Sequence, residues 1–336
     1  MIRTSKCYSV FLVVAALVMV ASAGASLTIG PAEGLSASDA VRALFGADGV
    51  AEWQRLVVRD IRLPRTLLAL LVGAGLAVVG AVMQGFFQNP MAGPYLVGVS
   101  SGAGLGATVA ILFGWDFWVL GLNSTPVFAF AGALAVTLTV YAIARVGGKT
   151  PTATLLLTGI AVGMLVSSVS SFLMILKQRN LHEVVVWLMG GLSGRGWTEV
   201  QAVLPYFVLC VAVLSVFARD LNVMLTGDET AHHLGIEVER VKLILLVFAS
   251  LLAAAVVAVS GVIGFVGLVV PHITRLIVGP DHRRLLPASL LCGGVLLTLA
   301  DIAARTILPG AEVPIGIVTT FVGCPFFLWL LWRSKR

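Results

Sequence analysis

The chain has 336 residues, of which 59% are hydrophobic and only 11% charged, with a mean hydropathy of +1.03 and a formal net charge of +6. Soluble domains carry roughly a quarter charged residues, so this composition excludes a water-soluble globule and defines a polytopic membrane protein. Four cysteines, Cys7, Cys210, Cys292 and Cys324, lie in or beside apolar runs without a Cys-x-x-Cys pair, a pattern that indicates neither a disulfide framework nor a zinc site.

A helix needs roughly 20 apolar residues to cross the hydrocarbon core. That criterion predicts ten spans, at 8–29, 64–86, 95–114, 126–146, 153–176, 200–219, 242–260, 265–279, 285–305 and 314–332. The first follows Arg3 and Lys6 and ends near ASAGAS, as a secretory signal would. Its apolar run is longer than a signal core of about 7–15 residues, so it is read as an uncleaved helix. Gly98, Gly102 and Gly106 share one face of the third span and predict close helix packing, because small residues let backbones approach in lipid. Leu181 to Leu192 is apolar but about a dozen residues long, which predicts a partial or re-entrant helix.

Two segments stand out for their broken centres. GAVMQGFFQNPMAGP starts at Gly80 and GVIGFVGLVVPHITRLIVGPDHRRL at Gly261, and the steps Gly80–Pro90 and Gly261–Pro271 are equal. Interrupted apolar segments in corresponding parts of two halves predict an internal transporter repeat. The second and seventh spans cross in opposite directions, so the repeat is inverted.

With ten spans both termini share a side, and placing them in the cytoplasm puts 13 basic residues inside and 9 outside, the expected sign of the positive-inside bias. Five of the outer nine are Arg42, Arg55, Arg59, Arg62 and Arg65, at and before the second span. They point either to an acidic partner or to interfacial anchoring. Asp301 is the one acid inside an apolar span, and Arg305 lies one turn later, which predicts a buried ion pair in preference to a proton relay.

The longest cytoplasmic loop, RDLNVMLTGDETAHHLGIEVERVK over 219–242, predicts two short surface helices capped at Thr226 or Asp228 and stopped at Gly235. Leu225, Ala231, Leu234 and Ile236 would form an exposed apolar docking patch. His232 and His233 are adjacent, not at helical ligand spacing, and predict no metal site. The sequence has no phosphate-binding G-x-x-x-x-G-K-[ST] loop, no H-E-x-x-H and no G-x-S-x-G. Neither an enzyme nor an ATPase is indicated, and no nucleic-acid partner.

The runs IRLPRTLLALLVGAGLAVVGAVMQGFFQNPMAGPYLVGVSSGAG, LTGDETAHHLGI, GVIGFVGLVVPHITRLIVGPDHRRLLPASLLCGGVLLTLADIAAR and AEVPIGIVTTFVGCPFFLWLL resemble the membrane permeases of type II ATP-binding-cassette importers. That family takes up ferric siderophores, haem and cobalamin, and the resemblance runs from about Gln54 to the carboxyl end. It implies an all-α fold of ten helices in a single domain over 1–336, with repeat halves at 64–176 and 242–332. It also implies a homodimer, two cytoplasmic ATPase subunits that use ATP and Mg, and an extracytoplasmic substrate-binding protein, all at a prokaryotic cell membrane. No cofactor is implied for this chain itself. Carried over by motif, Leu225, Gly227, Asp228, Glu229, Thr230, Ala231, Leu234 and Gly235 look like the ATPase-coupling helices, and Arg62, Arg65 and Arg305 match arginines that receive acids of the binding protein. Thr152 and Ala153 align with the cytoplasmic gate, where Pro151 and the alanine depart from the hydroxyl-rich form.

Thr158, Gly163, Ser167, Ser168, Thr319 and Thr320, small or hydroxylated residues of spans five and ten, are the expected pathway lining, or else pack helices. A ferric siderophore is the preferred cargo, with haem or cobalamin as alternatives. Lys177, Arg179 and Arg195 near the outer mouth suit an anionic chelate and equally serve as membrane anchors. The rival class is an ion-coupled secondary transporter, which would need intramembrane carboxylates beyond Asp301.

Overall fold

The computed structural model describes residues 5–30, 35–47, 50–119, 121–177 and 180–334. Arg3, Arg179, Lys335 and Arg336, all used in the charge reading, lie outside the described residues. The chain opens with α1 (Ser5–Thr28) and a short amphipathic α2 (Ala37–Phe45). Next, α3 (Glu52–Leu56) passes through a π-helical stretch, Val57–Arg62, directly into α4 (Leu63–Phe86). Pro64 lies just past the π-helical stretch inside this continuous helix, where its ring cannot donate a helical hydrogen bond. Then come α5 (Val99–Phe113), a hairpin of β1 (Trp118–Val119) and β2 (Leu122–Asn123), α6 (Ser124–Ala144) and α7 (Thr152–Leu176). The second half holds α8 (Leu181–Leu188), α9 (Trp197–Val216), α10 (Ala218–Met224), α11 (Asp228–His233), α12 (Val238–Ser260), α13 (Val266–Val278), α14 (His282–Ala304) and α15 (Ile315–Ser334).

Among the described residues, seven helices are long and apolar enough to cross a membrane, and α5, α13 and α15 are shorter apolar helices. Together they stand where the ten spans were expected. α8 is the partial helix expected at Leu181. α2 was not foreseen. Ser36 and Asp39 form a capping box at its start, Gly46 ends it with φ +74°, and it buries Ala40 and Ala43 against Val58.

The centre of the bundle is α4 and α12, both buried along most of their length, with α13 and α14 packed on α4. Close approach sets this geometry: a side chain on Gly80 would run into the backbone of Gly267. Gly102 and Gly106 of α5 likewise meet the backbone of α6 at Gly132 and Phe128, which is the packing role expected for them.

Two broken hairpins, α4–α5 and α12–α13, carry the inverted repeat. Each second helix starts from a left-handed residue, Gly98 at φ +85° and Phe265 at φ +64°. The breaks meet: the Tyr95 hydroxyl donates to Ile263 O at 2.8 Å, and Gln84 Nε2 donates to Leu268 O at 3.0 Å. The equal Gly–Pro steps do not mark equivalent places, however. Gly80 is inside α4 and its break follows Phe86, whereas Gly261 already ends α12 and Pro271 lies inside α13. The repeat is one of hairpins, not of the two decapeptides.

Candidate functional site

Three features could serve transport. The first is a charged joint at the end of the bundle where α1 and α14 finish and α4 starts. Arg65 is the hub: Nε donates to Asp301 Oδ1 at 2.9 Å, while Nη1 and Nη2 donate to the two oxygens of Glu312 at 2.8 and 3.0 Å. Arg305 Nε lies 3.2 Å from Asp301 Oδ2, the expected ion pair, though without hydrogen-bond alignment. Arg305 Nη2 donates to Ser26 O and Oγ at 3.0 and 2.7 Å, and Arg62 Nη1 donates to Leu27 O and Thr28 O at 2.8 and 2.9 Å. The joint thus ties α1, α4, α14 and the segment before α15. The three arginines are 4–8% exposed and Asp301 is fully buried; only Glu312 reaches solvent. Burial raises the Glu312 carboxyl, but the bidentate Arg65 guanidinium and the Ser193 hydroxyl outweigh it and hold the group below the usual carboxylate range.

The second feature is a concavity of about 970 Å³ along α5 and α7, lined by Ser101, Gly163, Ser167, Ser168 and Ser171 among apolar residues. Leu188 and Val262 are shared with a neighbouring groove of about 460 Å³ that takes in Thr320. Four of the six expected lining residues therefore border one continuous surface. Thr158 does not, and Thr319 is buried with its hydroxyl donating to Gly316 O at 3.2 Å.

The third feature is the loop at the opposite end. α10 is fixed to the bundle: Gln88 Nε2 donates to Met224 O at 2.8 Å, and Asn222 Nδ2 donates to Asp281 Oδ1 at 2.6 Å. α11 starts at Gly227, not by a side-chain cap; the Thr226 hydroxyl donates back to Val223 O at 2.8 Å, and the Asp228 carboxylate bonds Lys242. Asp228 and Glu229 stand in its first turn, where acids suit the helix dipole. Gly235, at φ +87°, ends it as expected. Leu234 is 66% exposed and Leu225 39%, but Ala231 is fully buried and faces inward. The apolar patch is therefore narrower than the sequence reading had it, because the helix turns Ala231 toward the bundle. Thr152 and Ala153 open α7 beside this loop, and the Thr150 N–H donates to Glu239 Oε2 at 2.8 Å. No group of three potential metal ligands occurs among the described residues.

Sequence reasoning missed Arg65 as the partner of Asp301, Glu312 as a partner of Arg65, and Lys242. The first two pairings join residues more than 230 positions apart, beyond any local pattern. Lys242 had a signal: a lysine at the start of an apolar span next to two acids.

Crossing helices, interlocked broken hairpins and a small-residue concavity define a membrane permease of the type II ATP-binding-cassette importer fold. The chain belongs to the FecCD transport family, which matches residues 14–333. It is 52% identical over 283 residues to the cobalamin import system permease protein BtuC of Halobacterium salinarum, covering 84% of this chain and 75% of that protein. It is 39% identical over 336 residues to the Fe(3+)-citrate import system permease protein YfmD of Bacillus subtilis, covering 99% and 98% of the two chains. A solved structure described as an inward-facing metal-chelate type ABC transporter superposes with a TM-score of 0.83 at 33% identity, over 96% of this chain and 98% of that one. The chain is accordingly a transport subunit and not an enzyme.

Proposed function

We propose that this permease works as a homodimer with its pathway on the two-fold axis, each subunit being one domain with repeat halves at 64–176 and 242–332 whose helix bundle rocks about the pathway. It passes a metal chelate from an extracytoplasmic binding protein into a prokaryotic cytoplasm, with both termini cytoplasmic. The energy comes from ATP and Mg at two partner ATPases. The observation that carries this reading is α7: it is one of the least buried spans, and its open face mixes Ser167, Ser168 and Ser171 with apolar residues around the 970 Å³ concavity. Ser168 and Ser171 return their hydroxyls to Met164 O and Ser167 O at 2.9 and 3.0 Å, so the support lies in the open concavity that these small side chains border and not in unpaired hydroxyls.

On this reading Leu225, Gly227, Asp228, Glu229, Thr230, Leu234 and Gly235 form the surface that engages the ATPase, with Ala231 anchoring it from inside. Thr152 and Ala153 are the gate at the start of α7. The arginine end receives carboxylates of the binding protein. Three guanidinium groups there face two carboxylates, leaving net positive charge, but Arg65 is engaged with Glu312, so a docking acid reaches it by taking the place of Glu312.

For the cargo, the 52% relative favours cobalamin. The anionic siderophore rested on Lys177, Arg179 and Arg195. Lys177 stands over the Phe113 ring at 3.6 Å, and Arg195 is ion-paired with Glu199 at 4.0 Å, so neither offers an uncommitted cation at the mouth. Proteoliposomes holding the permease with its ATPase and binding protein decide between them: ATP-dependent accumulation of labelled cobalamin above ferric siderophore and haem is expected. Uptake driven by an ion gradient without ATP would remove the importer reading, and preferential ferric-siderophore uptake would reverse the cargo.

A further inference from the structure

Lys242 is the one buried lysine among the described residues, 2% exposed in the first turns of α12. A desolvated ammonium is stable only when opposite charge and hydrogen bonds replace its water. Here the replacements come from two elements. Asp228, the first residue of α11, hydrogen-bonds Nζ, and Glu239 Oε1 lies 3.8 Å away. The other Glu239 oxygen accepts the Thr150 N–H at 2.8 Å. Thr150 is itself 3% exposed and stands two residues before α7. A continuous polar chain therefore runs from α11 through α12 to the start of the helix that lines the concavity. Its two carboxylates border an open cleft of about 710 Å³, which leaves α11 room to shift.

We propose that Lys242 and Glu239 are positioning residues that transmit displacement of α11 to the amino-terminal turn of α7 through the chain Asp228–Lys242–Glu239–Thr150. This rests on the reading of α11 as the surface moved by an ATPase partner. Coupling between distant sites needs a contiguous physical link whose arrangement both sites can bias. The buried lysine supplies one, because losing Asp228, the carboxylate that hydrogen-bonds Nζ, would leave the enclosed ammonium with only the 3.8 Å ionic contact to Glu239. When α11 moves, Lys242 and Glu239 have to follow, and Glu239 holds the backbone of Thr150. The ammonium is the rigid member and the half-exposed carboxylates are the compliant ones.

The test uses the full transporter in proteoliposomes and reads three quantities for each variant: recovery of the assembled complex, basal ATP hydrolysis, and cargo transported per ATP consumed. Glu239→Ala removes both the second carboxylate facing Lys242 and the hold on Thr150, at a side chain 38% exposed and therefore tolerant of truncation. Assembly and basal hydrolysis are expected to stay near the parent values while transport per ATP falls about tenfold, within the usual range of coupling between sites. Glu239→Gln keeps an acceptor for Thr150 and should recover part of the loss. A merely structural role would lower recovery of the complex and leave transport per ATP unchanged, and that result overturns the proposal. Lys242→Gln gives the second reading, with the same split expected; if it does not fold, Glu239→Ala alone decides. Leu234→Asp in the same preparation separates the two levels, because intact assembly of that variant would remove the coupling surface itself, whatever Glu239 does.

Discussion

At the arginine end of the bundle, three guanidinium groups face Asp301 and Glu312, and all of these groups except Glu312 are buried. At the loop end, a single buried lysine faces Asp228 and Glu239, each more than a third exposed. The first cluster ties four segments of chain at their ends by backbone-directed as well as ionic bonds, so moving one helix there would break several interactions at once. The second joins a six-residue helix to the bundle through one cation, with carboxylates that water can solvate if they let go. The same chemistry serves as a weld where the charges are enclosed and as a hinge where one side of each pair stays wet. Surface and buried pairs differ in this sense generally: the former are worth little, and the latter are costly to break by removing one partner.

The comparison breaks most visibly at Asp301. Asp301→Ala leaves Arg65 and Arg305 facing each other without their shared carboxylate, and removing one partner of a buried pair costs about 3–5 kcal/mol. A large drop in melting temperature of the detergent-solubilised permease, with reduced yield, is expected. An unchanged melting temperature would mean that the arginine end is not a weld.

The smallest effect belongs to Glu312, the solvent-facing member of that cluster. Its folded-state pKa lies below the ordinary carboxylate value, so its stabilising contribution is fully present above that value and is lost as pH falls through the depressed folded pKa. Glu312→Gln should therefore melt slightly below the parent near neutral pH and converge with it under acidic conditions below about pH 4, the ordinary carboxylate range. A difference that persists undiminished into acid would assign the effect to packing and not to charge.

Much of the architecture was legible because each crossing requires a long apolar run and each run left its mark in composition. The i,i+4 pairing of Asp301 with Arg305 was legible for the same reason, being local to one helix. The break points were not: the chain turns at Gly261–Phe265, and Pro271, the residue that reads as a breaker, sits inside α13. α2 was hidden because nine residues with a capping box carry too little hydrophobicity to register beside true spans. The inward turn of Ala231 depends on where α11 starts, and that start is set by Gly227 and by the pull of Lys242 on Asp228. Tertiary partners such as Arg65 with Glu312 leave no trace in either local segment.

The claim that the loop end is where an ATPase engages is tested most directly by Leu234→Asp, read by co-purification of the partner and by stimulated ATP hydrolysis. Leu234 is two-thirds exposed and contributes nothing to the core, so the variant should insert and fold as the parent does. A charge placed in a docking groove costs a few kcal/mol of binding, on the order of a 100-fold loss. The expected result is a folded permease from which the ATPase is missing; a full complex with normal stimulated hydrolysis would contradict it.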